Sequence, residues 1–309
     1  MSFIQTVTGR ILQEEMGVTY SHDHLLFIPP QSIIEKDTTL QLNNLGNSLH
    51  EAECFKMAGG NCVVEMSTVD TSRSAIGLKT ISEKAGIRII AATGFNKNLF
   101  CESWVADKSV KEISKQMIDD LLIGMDGTDI KSGVIKASSS KNTIYPGEEK
   151  VFQAAIIAHH ETGATISTHT EAGTMALEQI QLFRKDNVNA ESIVIGHLDR
   201  KLEWDYLLQI AQTGVFMSFD QISKEKYYPD ALRIEMIKRL IQAGFSSQII
   251  LAGDLARMTY LPSYGFGYGP GYTYILWRFI PWMIEEGISI ENINKMMIEN
   301  PAVAFAWKK

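Results

Sequence analysis

The amino-acid sequence predicts a (β/α)8 TIM barrel, an α/β fold in which eight parallel strands alternate with helices. Eight short apolar runs recur along the chain, and segments with apolar residues at helical spacing separate them. No linker rich in proline, serine or glycine divides the chain, and the first strand lacks the glycine-rich turn typical of a doubly wound open sheet. We therefore expect residues 1–309 to form a single barrel domain with a short N-terminal β-hairpin.

The predicted elements follow one another in a regular order. The strands span residues 17–22, 61–66, 88–93, 133–137, 165–169, 192–197, 214–219 and 248–253. Helical apolar spacing is clear between them in residues 150–162 and 230–243. Residues 1–16 are expected to form a β-hairpin that turns at Thr8, Gly9 and Arg10 and closes the bottom of the barrel.

The composition is that of an ordinary soluble globular protein. The chain is 45% hydrophobic and 21% charged, and its net charge of -7 argues against a nucleic-acid-binding surface. The N-terminus lacks the basic and apolar regions of a secretory signal, and no apolar run reaches the roughly 18 residues that a membrane-spanning helix needs. Three scattered cysteines without a CxxC pair indicate reduced thiols, so we expect a cytoplasmic protein. From the charge and the lack of a long apolar run, we expect neither a nucleic-acid nor a membrane partner.

The stretch VTYSHDHLLF places two histidines at the end of the first predicted strand. His22 and His24 are two residues apart, so in an extended chain both imidazoles point to one face and Asp23 points to the other. Two histidines on one face can bind a metal ion, although a lone His-x-His pair also occurs by chance. The remaining ligands must come from elsewhere in the chain.

Four further polar residues lie at the carboxyl ends of predicted strands, where barrels of this kind form their active sites. They are Lys136, His169, His197 and Asp254. Taken singly, each histidine is more often a hydrogen-bonded core residue, the lysine can extend past the barrel rim, and the aspartate can cap the next helix. Their convergence on one rim predicts a metal site.

Lys136 needs a chemical change before it can take part in such a site. A protonated ammonium donates three hydrogen bonds and accepts none, so it cannot bind a metal ion. If the amine is desolvated and loses its proton, it becomes a nucleophile that can add to carbon dioxide. The resulting carbamate is anionic and has two oxygens, which could bridge two ions. The alternative is an unmodified Lys136 paired with an acid.

An ordered set of motifs runs through the whole chain: TGRILQEEMGVTYSHDHLLF, GVIKAS, THTEAGT, IGHLDR and ILAGD. With this set the sequence resembles the phosphotriesterase-like branch of the amidohydrolase superfamily. The resemblance implies a binuclear centre of two divalent metal ions, zinc or else manganese or cobalt. By position it implies His22, His24 and Asp254 as ligands of the more buried ion, His169 and His197 as ligands of the more exposed ion, and N6-carboxylated Lys136 as the bridge.

The implied reaction is hydrolysis by a hydroxide that bridges the two metal ions. Two divalent ions lower the pKa of the bridging water, and the hydroxide attacks a carbonyl or phosphoryl centre. Asp254 takes the proton and can deliver it to the leaving alkoxide, which makes it the predicted catalytic residue. Glu171 and Asp199, each two residues beyond a ligand histidine, are candidates for orienting the imidazoles.

The loops after the seventh and eighth strands carry groups that suit a phosphate. Lys226, Arg257 and Tyr260 offer an ammonium, a guanidinium and a phenol, although solvated loop charges explain each one singly. Their positions match those of family members that hydrolyse phosphorylated sugar lactones. The predicted function is therefore a metal-dependent lactonase that opens a pentono-1,4-lactone 5-phosphate, a small-molecule substrate. The loop of residues 93–104 is expected to cover the site, with Asn96, Lys97 and Tyr20 as weaker candidates for substrate contact.

Three other functions stay open at this point. Organophosphate-hydrolysing members have an aromatic residue directly after the metal-binding aspartate, where this chain has Leu255. N-acyl-homoserine lactonases need a long hydrophobic channel, for which the segment KEKYYPDA offers no matching tract. A barrel that binds a metal or a sugar phosphate without catalysis is the third alternative. Members of the family are often homodimers, so the resemblance also allows a homodimer here.

Overall fold

Eight parallel strands form the central sheet of the protein. The computed structural model describes residues 2–308, and it places these strands side by side in chain order. They are β3 (Thr19–Asp23), β4 (Cys62–Glu65), β5 (Arg88–Gly94), β6 (Val134–Ser139), β7 (Thr165–Thr170), β8 (Ile193–Ile195), β9 (Phe216–Phe219) and β10 (Ile249–Leu251). Each of the eight predicted strands is confirmed within a few residues, as is the barrel class.

The first and last strands of the sheet bring it nearly to closure. The Ser21 hydroxyl donates a hydrogen bond to the Leu251 carbonyl at 2.9 Å, and the Asp254 amide donates to the His22 carbonyl at 3.1 Å. These bonds join β3 to β10 and to the loop that follows it. The sheet therefore curves into a barrel whose strands all end at the same rim.

A two-stranded antiparallel hairpin precedes the barrel. It consists of β1 (Ile4–Thr6) and β2 (Gly9–Ile11), with Thr6 paired to Gly9. The turn therefore lies at Val7 and Thr8, one residue earlier than the predicted turn at Thr8, Gly9 and Arg10. The Val7 amide donates to the Ile89 carbonyl at 2.9 Å, near the start of β5, so the hairpin packs at the bottom of the barrel as predicted.

Helices surround the sheet and fill its connections. They are α1 (Gln31–Ile34), α2 (Leu45–Met57), α3 (Ala75–Ala85), α4 (Asn98–Val105), α5 (Val110–Leu122), α6 (Pro146–Thr162), α7 (Ala176–Lys185), α8 (Trp204–Ala211), α9 (Asp230–Gln242), α10 (Ile280–Glu285), α11 (Ile290–Asn294) and α12 (Asn300–Ala304). The predicted helical segments 150–162 and 230–243 correspond to α6 and α9. Among the described helices we find none with both the length and the apolar character to cross a membrane.

Alternate residues of the barrel strands pack on opposite sides of the sheet. Side chains such as Val63 and Ile89 belong to a large core that the sheet shares with the helices. Their neighbours Val64 and Ile90 belong to a second core inside the barrel, together with Phe305 from the C-terminal segment. Side chains thus fill the lower part of the barrel, and the functional groups collect at the carboxyl ends of the strands.

Candidate metal centre

All six residues predicted to form the metal site line one cavity at the carboxyl end of the barrel. The cavity has a volume of about 200 Å³. β3 and the residue after it supply His22 and His24, β6 supplies Lys136, β7 supplies His169, and the loops after β8 and β10 supply His197 and Asp254. The parallel direction of the strands accounts for this meeting of residues that are far apart in the chain.

His22, His24 and Asp254 form the first group that could hold a metal ion. Asp254 Oδ1 lies 3.4 Å from His24 Nε2 and 3.9 Å from His22 Nε2. Burial lowers the pKa of His24 to about 4 and holds the pKa of His22 well below its ordinary value, so both imidazoles are neutral. Neutral imidazoles with free lone pairs are the form that binds metal ions.

His22 gives independent support for a bound ion. Both of its ring nitrogens are buried, and within residues 2–308 neither has a hydrogen-bond partner. Buried polar groups are nearly always paired, and an unpaired one needs an explanation. A metal ion held by His22 Nε2, His24 and Asp254 would account for the unpaired Nε2, so the residues present fit a metal ion.

A second group includes His197 and a residue that the sequence analysis missed. Asp220 Oδ1 lies 2.6 Å from His197 Nδ1, and its other oxygen lies 3.6 Å from His22 Nδ1. His197 Nε2 in turn lies 2.7 Å from His169 Nδ1, so the two imidazoles converge on one point. Asp220 directly follows β9, the seventh barrel strand, and the rule that placed the other residues on the rim could have identified it.

Lys136 is buried among these groups, with an exposed fraction of 1%. Its ammonium donates a hydrogen bond to the Met66 carbonyl at 2.8 Å. Burial lowers the pKa of Lys136, while Asp254 and Asp70 act against that shift. A lowered pKa raises the share of neutral amine, which is the nucleophilic form.

Asp254 is held in place from several sides. Its Oδ2 accepts hydrogen bonds from Gln221 Nε2 at 2.7 Å and from Lys224 Nζ at 2.8 Å. Burial would raise the pKa of Asp254, but Lys224 and the nearby histidines hold it well below its usual value. The backbone of Asp254 is left-handed, with a φ of 47°, and so is that of His197, with a φ of 60°. Non-glycine residues adopt this region rarely, and such residues cluster at functional sites.

Asp23 points away from the cavity, as the strand alternation predicts, and binds the backbone on both sides of Asp254. One carboxylate oxygen accepts the Gly253 amide at 3.1 Å, and the other accepts the Leu255 amide at 2.7 Å. Asp23 thus brackets the residue that lies between them. Burial raises the pKa of Asp23 to about 7.

The two carboxylates expected to orient the imidazoles have different roles. Glu171 contacts His169 Nε2 at 3.0 Å and pairs with Lys97 and with Arg200. Asp199 instead forms an ion pair with the buried Arg233. The orienting position beside His197 therefore belongs to Asp220, and the expectation for Asp199 is wrong.

The three residues predicted to bind substrate lie on the same side of the site. Arg257 and Tyr260 line the cavity, and Lys226 lies beside it with Nζ 5.6 Å from the centre of the Tyr260 ring. Lys224, from the same loop as Lys226, enters the cavity itself. An ion pair joins Arg257 to Asp37 and lowers the pKa of Asp37 to about 2.

Residues that follow β5 line the same cavity, as expected for the segment 93–104. Asn96, Lys97 and Phe100 line the cavity. Tyr20, by contrast, packs in the core, and its hydroxyl donates to the Tyr272 carbonyl at 2.7 Å. Tyr20 therefore supports the fold and does not reach the cavity.

Comparison with known proteins agrees with this geometry. The sequence model of the phosphotriesterase family matches residues 2–305. The phosphotriesterase homology protein of Escherichia coli is 34% identical over 94% of this chain and 98% of its own, and its crystal structure, with phosphate in the active site, has a TM-score of 0.89. A phospho-furanose lactonase of Mycoplasmopsis synoviae is 32% identical over 99% of this chain and 92% of its own.

Similarity to a solved structure extends over the whole fold. The crystal structure of a lactonase from Listeria monocytogenes superposes with a TM-score of 0.96 at 37% identity, and the match covers 100% of both chains. Sequence, fold and the histidine and aspartate groups at the barrel rim therefore lead to one assignment. The chain belongs to the phosphotriesterase family.

Proposed function

We propose that this hydrolase of the phosphotriesterase family opens a phosphorylated sugar γ-lactone, a pentono-1,4-lactone 5-phosphate. The observation that carries the proposal is the position of Arg257 and Tyr260 on the wall of the cavity that holds the histidine and aspartate groups. Lys226 lies next to Tyr260 and adds a second cation. A phosphate bound there would share one cavity with Asp254, so the lactone ring could reach the carboxylate. The similarity to a phospho-furanose lactonase supports the same substrate class.

Arg257 has donors to spare for a phosphate. Within residues 2–308 its side-chain hydrogen bonds are made by NH1, to Asp37 and Thr39. The ion pair with Asp37 restrains the guanidinium, and Nε and NH2 are left for a ligand. A guanidinium binds phosphate through two parallel hydrogen bonds, which gives direction as well as affinity. The E. coli relative carries phosphate in its active site, in keeping with an anion site in this family.

The metal-binding residues are proposed in two sets. His22, His24 and Asp254 would hold one divalent ion, and His169 and His197 would hold a second. N6-carboxylated Lys136 would lie between them. Zinc is the proposed metal, with manganese or cobalt as alternatives. The unpaired nitrogens of His22 and the burial of Lys136 support this arrangement.

The chemistry of the site divides between the ions and the chain. When bound, the two ions would lower the pKa of a water molecule and polarise the lactone carbonyl. The charged carboxylate of Asp254 accepts the proton of the attacking water and returns it to the ring oxygen as the ring bond breaks. The product is the open hydroxy acid, with its 5-phosphate unchanged. Arg257, Tyr260 and Lys226 hold that phosphate throughout.

The test is hydrolysis of a small panel by metal-loaded protein in bicarbonate. The panel contains pentono-1,4-lactones with and without the 5-phosphate, an N-acyl-homoserine lactone and paraoxon. We expect rapid turnover of a phosphorylated lactone alone. Preference for a neutral lactone or for paraoxon would contradict the proposed phosphate site. The proposal of a metal-dependent hydrolase would still stand in that case. Absence of turnover with two ions bound would contradict the lactonase proposal and favour a non-catalytic barrel or a different ester.

A further inference from the structure

We propose that Lys224 is a positioning residue that fixes the carboxylate of Asp254 with Oδ1 facing the metal-binding histidines. The inference rests on the proposed function, because it assigns a role within the same site. Lys224 is charged, lies in the cavity and belongs to the same loop as Lys226. A role in binding the substrate phosphate would therefore be the simple assumption. Its contacts lead to a different role.

The ammonium of Lys224 has no donor left for a substrate. Nζ lies 2.8 Å from Asp254 Oδ2, 2.6 Å from the Asp254 carbonyl and 3.0 Å from Gln221 Oε1. A lysine ammonium has three N–H donors, and three acceptors surround this one. The side chain is also buried, with an exposed fraction of 4%. A phosphate could bind Lys224 only by breaking one of these bonds.

Gln221 completes a closed arrangement around one oxygen of Asp254. Its amide Nε2 donates to Asp254 Oδ2 at 2.7 Å, while its Oε1 accepts from Lys224. Oδ2 thus accepts hydrogen bonds from two donors. Oδ1 is left to face His24 Nε2 at 3.4 Å and His22 Nε2 at 3.9 Å. One oxygen of the Asp254 carboxylate therefore binds Lys224 and Gln221, and the other faces the two histidines.

Lys224 also supports the unusual backbone of Asp254. The φ of Asp254 is 47°, a left-handed value that few non-glycine residues adopt. The carbonyl of this residue accepts Lys224 Nζ at 2.6 Å, so one ammonium binds both the main chain and the side chain of Asp254. This double contact explains how Lys224 controls the direction of the carboxylate.

The backbone that carries Lys224 is itself held in place. The Lys224 amide donates to the Gln221 carbonyl at 3.1 Å, and the Tyr227 amide donates to the Lys224 carbonyl at 3.0 Å. The Ser223 amide donates to the Asp230 carboxylate at the start of α9 at 3.1 Å. Lys224 therefore extends from a fixed turn, as a positioning residue requires.

The experiment compares Lys224→Met with Lys226→Met. Zinc affinity is measured by competition with a chromophoric chelator, and kcat and KM are measured on phosphorylated and neutral lactones. For Lys224→Met we expect zinc binding about tenfold weaker or more, as for other residues that orient metal ligands. We also expect a similar loss of kcat on both lactones. For Lys226→Met we expect unchanged zinc affinity and a higher KM for the phosphorylated lactone alone.

Two further variants serve as controls for the effect of removing a lysine and for a variant that does not fold. Lys238→Met removes a partly exposed lysine of α9 that pairs with Glu286, and it should leave zinc affinity and kcat unchanged. Lys224→Gln keeps a hydrogen-bond donor without the charge, and it replaces the methionine variant if that chain does not fold. An intermediate zinc affinity in Lys224→Gln is expected.

The outcomes separate this inference from the proposed function. Unchanged zinc affinity in Lys224→Met, with a higher KM for the phosphorylated lactone alone, would overturn the positioning role and make Lys224 a phosphate-binding residue. If wild-type protein hydrolyses none of the lactones, the proposed function fails. The zinc affinities of wild type and Lys224→Met still decide the role of Lys224 in that case.

Discussion

Arg233 and Asp199 form an ion pair in which both side chains are completely buried, with Arg233 Nε 2.8 Å from Asp199 Oδ2. The same guanidinium contacts Asp230 Oδ1 at 2.9 Å. Asp199 Oδ2 also accepts the backbone amide of Gln221 at 2.9 Å. One buried cation thus ties the start of α9 to the turn after β8 and to the loop that carries Gln221 and Lys224.

Replacing Arg233 by methionine should strongly destabilise the protein. The change leaves Asp199 and Asp230 buried without their cation, and breaking a buried ion pair by removing one partner costs about 3–5 kcal/mol. Denaturation in urea measures the free energy of unfolding. Arg184→Met, which changes an exposed arginine of α7, is the control and should cost about 0.5 kcal/mol or less. A loss that small for Arg233→Met would show that the pair adds little to the fold.

Asp220→Asn should weaken metal binding while leaving the fold intact. Asp220 contacts His197 Nδ1 at 2.6 Å and so fixes the ring whose other nitrogen faces His169. Loss of such a partner typically lowers metal affinity about 10–100-fold. Chelator competition measures the zinc affinity, with Asp205→Asn on the exposed face of α8 as the control. Equal affinities in the two variants would exclude an orienting role for Asp220.

Arg257→Met should act on phosphorylated substrates alone. A hydrogen bond to a charged group contributes about 1.5–3 kcal/mol, which corresponds to a fall in kcat/KM of about tenfold to a hundredfold. The neutral lactone provides the internal control, because it has no phosphate for the guanidinium to bind. Steady-state kinetics on the two lactones makes the comparison. Equal losses of kcat/KM on both substrates would show that Arg257 does not bind the phosphate.

Carboxylation of Lys136 can be observed directly. Its amine is buried and its pKa is lowered, so in zinc-loaded protein it should add carbon dioxide and remain modified. Protein prepared in ¹³C-bicarbonate should show a carbamate carbon signal by NMR, and Lys136→Met should lack it. Lys141→Met, which changes an exposed lysine after β6, should retain the signal. A spectrum without a carbamate carbon in the wild type would favour the unmodified lysine.

His159 should make the protein less stable in mild acid. Burial lowers the pKa of His159, and its Nδ1 lies 2.8 Å from the Ala164 carbonyl. An unfolded chain takes up this proton below pH of about 6.5, while the folded protein resists it until a lower pH. Stability therefore falls as the pH drops from about 6.5 towards the lowered pKa of the folded state.

The measurement for His159 is the melting temperature between neutral and mildly acidic pH. His159→Gln should show a smaller fall in melting temperature than the wild type, because it removes one group that must stay neutral in the fold. His50→Gln, which changes an exposed histidine of α2, should match the wild type. If the two variants respond alike to pH, His159 does not contribute to the acid sensitivity.

The strands and the rim residues could be predicted from sequence because both depend on local patterns. A short apolar run identifies a buried strand, and a polar residue directly after it identifies a position on the rim. The same logic covers Asp220, a polar residue that directly follows β9. The hairpin turn lies one residue earlier than predicted, because IQTVTGRI has no strong alternation that sets its register.

Loop contacts could not be predicted in the same way. Lys224 and Lys226 are two residues apart in an irregular segment, and no periodicity shows which of them enters the cavity. Their directions depend on partners far along the chain, such as Asp254 for Lys224. The expectation for Asp199 is wrong for a related reason, since its partner Arg233 lies 34 residues away. Such pairings arise from the folded barrel and leave no local signal.

At His197 and Asp254, the left-handed backbone favours one residue type and the chemistry of the rim requires others. Glycine adopts these φ values freely, whereas other residues there cost of the order of 1–3 kcal/mol. The backbone conformation taken alone would therefore favour glycine at both positions, but glycine would remove an imidazole and a carboxylate from the rim and leave Asp220 and Lys224 without these partners. A chain that has histidine and aspartate at these positions accepts this backbone cost and keeps two side chains that could bind a metal ion.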